Sequence, residues 1–273
     1  MRLRYAFTLI EMAIVVIIIG VLMSGILGGA ELVEVNKRNS LITDLKKYGD
    51  ATLQFKDKYR YLPGDYPYGL ETFPEVSDGN GNYTYYSANG DGDGNIDYFN
   101  VLGDFVTEEL IAFSQLGRAG FIKENFVGIA TRTSNQTGFW LKDDIVVPKA
   151  SYKGVYIRYL GLTINTGDFG NYSHIFFNEP IILSSPQILT AIRPGVWDAK
   201  WVSYEGFTSV ENVYKIDEKM DDKNPATGDI VSYQNYSDGS WCSTWDNNDP
   251  TASTYNFSDT TSENCTVIYL IRE

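Results

Sequence analysis

From Met12 to Ala30 the chain carries no ionisable side chain, and the run is dominated by Ile, Val, Leu and Gly. That length matches the roughly 20 helical residues needed to cross a bilayer. One carboxylate, Glu11, stands at its leading end, a few residues behind the basic opening that holds Arg2 and Arg4. A carboxylate within a transmembrane helix costs about 2.5–3.5 kcal/mol at the centre and less near the interface, so a charge partner is expected. No Lys or Arg within the run supplies one. Cleavage between Ala6 and Phe7 would, by creating a new α-amino group four residues before Glu11. A cleaved secretory signal has a shorter apolar core followed by a small-x-small site, and the segment after this run shows none. Arg2 and Arg4 place the N-terminus in the cytoplasm and the rest of the chain outside, with Lys37 and Arg38 weakly opposed.

The stretch Ala6-Phe7-Thr8-Leu9-Ile10-Glu11-Met12, with its short basic leader and apolar span, resembles the N-terminus of type IV pilins and type II secretion pseudopilins. The resemblance implies cutting before Phe7 by a prepilin peptidase, N-methylation of Phe7, and pairing of Glu11 with the Phe7 amine of a neighbouring subunit during assembly. It also implies other pilin or pseudopilin subunits, an inner-membrane assembly platform and membrane lipid as partners. One residue departs from the pattern: the family has glycine before the cut, and here Ala6 stands there. An ordinary signal anchor is the alternative reading of the same span.

Beyond Ala30 the helical period continues. Leu41, Leu45, Tyr48, Thr52, Phe55 and Tyr59 recur at steps of three and four, one face of a helix. Pro63-Gly64-Asp65 ends it. A helix from Phe7 to Tyr59 would be about 80 Å long, and its seam is too short for a free coiled coil. A second helix is expected from Asp104 to Gly117, capped by Asp104, with Glu108 and Glu109 in its positive first turn and Val106, Leu110, Phe113 and Leu116 on one face. Short aromatic and β-branched runs follow, among them GVYIRYLGLTI, DIVSYQNY and CTVIYLI, which read as an antiparallel sheet. A further helix is expected within SVENVYKIDEKMDD. The fold class is therefore α+β: a long N-terminal helix, half membrane-spanning and half amphipathic, packed on an antiparallel head with a calcium-type loop. The expected division is a leader at 1–6, a membrane or filament-core helix at 7–30, its amphipathic continuation at 31–59 and one head at 60–273. The blocks YLPGD, NGDGDGNI, LGRAGFI and IDEKMDDKNPATG also resemble blocks of pilin-like proteins, which supports one continuous head.

The formal net charge of -13 argues against direct nucleic-acid binding. With His174 as the one histidine, a histidine-rich metal site is excluded, and no phosphate loop, zinc spacing or nucleophile motif stands out; the chain reads as no enzyme. Cys242 and Cys265 are the two cysteines: two buried thiols in the cytosol, or one disulfide in an exported head.

Two acidic stretches could hold cations. In NGDGDGNIDYFN, Asn89, Asp91, Asp93, Asn95 and Asp97 alternate as in a calcium loop. Asn100 replaces the usual bidentate Glu at the twelfth position, so Glu108 or Glu109 is the candidate to reach back. Further on, Asp217 and Asp221 would share a helical face with Asp222 beside them, as a second cation site or, the favoured reading, a solvated helix end. The pairs Trp197/Trp201 and Trp241/Trp245 could stack on sugars in a pilus-tip adhesin, the alternative function, but are more ordinarily core residues. The localisation expected is a single pass of the bacterial inner membrane, with the head outside and then in a pilus or pseudopilus.

Overall fold

The computed structural model describes residues 9–77, 83–94, 96, 107–128, 147–152, 155–159, 187–192, 207–232, 242–244, 250–258, 260, 263 and 265–271, with backbone alone at 25–28, 30, 83, 187–192 and 250. Ala6, Phe7, Asn95, Asp97, Asp104, Val106, His174, Trp197, Trp201, Trp241 and Trp245 lie outside these residues or are not described by side chain.

Helix α1 runs unbroken from Leu9 to Tyr59, within two residues of the expected bounds. Its two halves differ in what they touch. From Leu9 to Met23 the large apolar side chains are exposed. From Leu41 onward the expected stripe is buried: Leu41, Leu45, Thr52 and Phe55 are fully enclosed and Tyr48 nearly so. Among the described residues no helix is long and apolar enough to cross a membrane; the apolar half has side chains described without interruption only from Leu9 to Ser24.

Around the buried half pack helix α3 (Glu108–Arg118), helix α4 (Val210–Met220) and a sheet. A short helix, α2 (Gly69–Thr72), and a two-stranded ribbon, β1 (Val76–Ser77) with β2 (Tyr83–Tyr85), follow α1. The main sheet is antiparallel, with β3 (Tyr156–Tyr159), β4 (Gln187–Ile192), β8 (Val267–Ile271) and β5 (Ile230–Val231) side by side in that order. Strand β8 is central, pairing Leu189 with Tyr269 on one edge and Ile230 with Tyr269 on the other. The C-terminal run thus lies in the middle of the sheet, which closes the head. A second ribbon joins β6 (Ser243–Thr244) to β7 (Thr254–Tyr255).

Contacts from α1 explain why it stops being a bare apolar rod. Tyr48 meets Phe113 of α3 edge to face, with ring centroids 5.7 Å apart. The Thr52 and Tyr159 hydroxyls lie 2.5 Å apart, and Arg38 donates to Asn212 of α4 at 2.7 Å. Phe55, Tyr59, Tyr66, Phe73 and Phe121 cluster at the end of the helix. Cys242 and Cys265 form a disulfide, so the reading as two thiols falls away. It joins the β6–β7 ribbon to the residues just before β8.

Helix α3 corrects one expectation. Its N-cap is Thr107, whose side chain accepts from the Leu110 N–H, and not Asp104. A Thr hydroxyl at this position satisfies a backbone donor that the helix itself leaves unpaired. Glu108 and Glu109 do occupy the first turn, as expected.

Candidate functional site

Three elements converge where α1 ends. Arg60 takes a left-handed conformation (φ 67°) and its N–H donates to the Lys56 carbonyl, terminating α1. Pro63-Gly64-Asp65 then turns the chain back towards α3. Gly64 has φ +89°, and a Cβ there would lie 2.3 Å from the Glu108 carbonyl oxygen, so only glycine lets the turn sit against the first turn of α3. The Gly64 N–H donates to Gln115 Oε1 at 2.8 Å. The loop after β2 packs onto the same turn, with the Gly90 N–H donating to the Tyr66 carbonyl at 3.0 Å.

This packing brings Asp65, Asp91 and Glu108 together, each offering a carboxylate oxygen within 4.8 Å of the others. Asp65 is 1 % exposed and Glu108 2 %; Asp91 is exposed. The loop amides hold the group in place. The Gly94 N–H donates to Asp65 Oδ2 at 3.2 Å, the Asp91 N–H to Glu108 Oε1 at 3.0 Å and the Asp93 N–H to Asp91 Oδ1 at 3.1 Å. Asp65 Oδ1 is buried and takes no hydrogen bond from any described residue. Burial pushes the Asp65 carboxyl up to about 7; the Gly94 and Gly92 amides pull it down, and the Asp93 and Asp91 charges push it further up.

Only part of the expected calcium loop is in this group. Asn89, placed at the first ligand position, instead spends its Oδ1 on the Leu70 N–H at 2.8 Å. Asp91 belongs to the cluster, whereas Asp93 lies outside the trio. Asn95 and Asp97 lie outside the described residues. Of the two candidate glutamates, Glu108 reaches the loop and Glu109 does not: Glu109 is fully buried in a two-pronged ion pair with Arg158 of β3. Successive helical residues point about 100° apart, so one faces the loop and the other the sheet. Asp65 was not among the expected candidates because it lies well outside the loop; the signal for it was an acid directly after a helix-ending Pro-Gly.

The second acidic stretch has a different character. Asp217 lies within α4 and Asp221 is its C-cap, whose N–H donates to the Asp217 carbonyl, so the two stand one turn apart at the helix end. Asp217, Asp221 and Asp222 approach one another, but donors meet them. Asp217 accepts from the Lys223 N–H at 3.1 Å and the Tyr255 hydroxyl at 2.7 Å. Asp221 Oδ2 accepts from the amides of Asp229 and Ile230. Asp222 accepts from the Asn224 N–H at 2.8 Å and the Thr227 hydroxyl at 2.6 Å. It is a knot of turns at the end of α4 rather than a plain solvated helix end, with Asp217 fully buried.

At the other end of the molecule Glu11 lies near the start of the described part of α1. Exposed Leu9, Ile10, Met12, Ile14 and Val15 surround it. Residues 1–27 match the family model described as the prokaryotic N-terminal methylation motif. The chain thus carries the processing signal of type IV pilins and pseudopilins, which points to a structural subunit rather than an enzyme. No curated protein and no solved structure matches the chain.

Proposed function

We propose that the chain is a pilin-like filament subunit, a minor type IV pilin or type II secretion pseudopilin. A prepilin peptidase cuts it between Ala6 and Phe7 and the new Phe7 amine is methylated. Residues 7–30 hold it in the inner membrane with the head outside, until an assembly platform moves it among other subunits into a pilus or pseudopilus. The observation that carries this reading is the continuity of one helix: the methylation motif at 1–27 runs straight into α1, whose first half exposes apolar side chains and whose second half is the spine of the head. Exposed apolar side chains on a helix of this kind suit lipid first and the helices of neighbouring subunits afterwards. The disulfide Cys242–Cys265 suits a head that matures outside the cytoplasm.

Glu11 would steer the transfer by pairing with the Phe7 amine of the subunit added before it. Two measurements test the reading together. Mass spectrometry of assembled material should find methylated Phe7 at the N-terminus, and an intact Met1 there would overturn the processing. Glu11→Gln keeps shape and removes charge, so membrane insertion should persist while incorporation into filaments falls. Normal incorporation of that variant would show that the pairing is dispensable.

A further inference from the structure

We propose that Asp65, Asp91 and Glu108 form a calcium site that fastens the end of α1 and the 89–94 loop to the start of α3. It is a site assembled by tertiary structure, and it differs from a linear calcium loop in two of its three ligands. Three carboxylate oxygens meet within 4.8 Å, on a chain whose formal net charge is already -13. Like charges this close repel unless a cation or a proton lies between them. The buried Asp65 Oδ1, with no hydrogen bond from any described residue, is the second and independent sign. A buried acceptor left without a donor is costly, and native proteins rarely leave one without a bound group.

The donor chemistry selects the ion. Every side chain in the group is a carboxylate, which suits a hard cation, and the soft alternatives are absent from it: both cysteines are tied in the disulfide. Calcium takes six to eight oxygens in an adaptable geometry, whereas magnesium demands a near-ideal octahedron. Asp91 sits on an irregular loop rather than a rigid element, an arrangement that suits the more tolerant ion. Loop carbonyls and water would complete its shell. The loop amides keep their own bonds to the carboxylates, so they aim the ligands at the ion and need not be displaced by it. That calcium is at hand outside the cytoplasm rests on the export proposed above; the ligand set does not.

The test is titration of the purified full-length protein in detergent with calcium chloride, by calorimetry, with thermal melts in calcium and in EGTA. One calcium should bind per chain and raise the melting temperature. Asp65→Asn and Glu108→Gln, both outside the 89–100 segment, should each weaken binding at least tenfold. Asp93→Asn should leave it within about twofold. Cooperative melts of the variants in EGTA verify that they fold; should Asp65→Asn fail to fold, Glu108→Gln carries the comparison. A folded wild-type protein that binds no calcium, and whose melting responds to acid alone, would identify a proton as the occupant and overturn the site. Binding unchanged by both Asp65→Asn and Glu108→Gln would overturn it equally. Processing at Phe7 does not enter the titration, so failure here leaves the filament reading untouched, and the reverse also holds.

Discussion

Asp217, Asp221 and Asp222 gather at the end of α4 much as Asp65, Asp91 and Glu108 gather at the end of α1, yet the two groups handle their charge differently. Around α4 the chain supplies the donors: amides from Lys223, Asn224, Asp229 and Ile230, and hydroxyls from Thr227 and Tyr255. At the end of α1 the loop amides meet the group too, but Asp65 Oδ1 stays buried with no donor among the described residues. Closeness of carboxylates is therefore a poor guide to a binding site. What separates a structural knot from a site is whether the fold's own donors use up the oxygens.

Glu108 and Glu109 make the same comparison between adjacent residues, and breaking it gives the largest effect expected. Glu109 is answered from within by Arg158. Arg158→Met keeps much of the volume but leaves a carboxylate buried without its cation, which costs about 3–5 kcal/mol. A chemical denaturation midpoint that stays at the wild-type value would show that Glu109 is not held by this pair.

Acidity tests the α4 knot next. Burial holds the Asp217 carboxyl up to about 7, against the Tyr255 and Lys223 donors that favour ionisation, with the Asp222 and Asp221 charges adding to the rise. A folded value above the unfolded one near 3.9 means that the native state binds the extra proton. The stabilising contribution is thus complete below about pH 4 and is lost as pH rises to about 7. Asn can accept from the Lys223 amide and donate to the Tyr255 oxygen. Asp217→Asn should therefore be more stable than the wild type at pH 8, with the gap closing towards pH 4 at up to about 1.4 kcal/mol per pH unit. A gap independent of pH would place the titration elsewhere.

The disulfide sharpens the contrast between a join closed covalently and one proposed to be closed by an ion. Removing the Cys242–Cys265 bond with paired serines frees a loop spanning a sequence separation of 23, which costs about 3 kcal/mol on chain-entropy grounds. The calcium response at α1 should survive this, since Asp65, Asp91 and Glu108 stand on other elements than the two cysteines. Loss of both together would show the two ends of the head to be one cooperative unit.

The smallest effect expected is at Gly228. It has φ +75°, and a Cβ there would meet the Asp221 carboxylate at 1.8 Å. Gly228→Ala should cost more than about 1 kcal/mol and pry Asp221 from the amides of Asp229 and Ile230. Full wild-type stability would mean that the knot contributes little to holding α4 against the sheet.

Much of the scaffold was legible because its signals are local and periodic. The stripe from Leu41 to Phe55 is a property of a 3.6-residue repeat, and it is buried as read. The strand runs GVYIRYLGLTI, DIVSYQNY and CTVIYLI contain β3, β5 and β8, and the SVENVYKIDEKMDD segment contains α4. The N-terminal motif was legible for another reason: a peptidase reads it as a short linear string, so its information is complete in the sequence. The Asp104 cap was misplaced because several oxygen-bearing residues near a helix start compete for that role, and packing chose Thr107.

The sequence by itself determined where the long helix runs, which of its faces is apolar, that the chain carries a processing signal, and that two cysteines were present to pair. Only the tertiary structure decided which acids meet. Asp65 follows the end of α1, Asp91 sits on a loop and Glu108 opens α3, so no window along the chain contains all three. Their meeting depends on Gly64 admitting the backbone of α3. The fate of each carboxylate depends likewise on donors such as Tyr255 and Arg158 that arrive from distant strands. Alternating acids mark where oxygens are dense; the fold sets where they point and what already satisfies them.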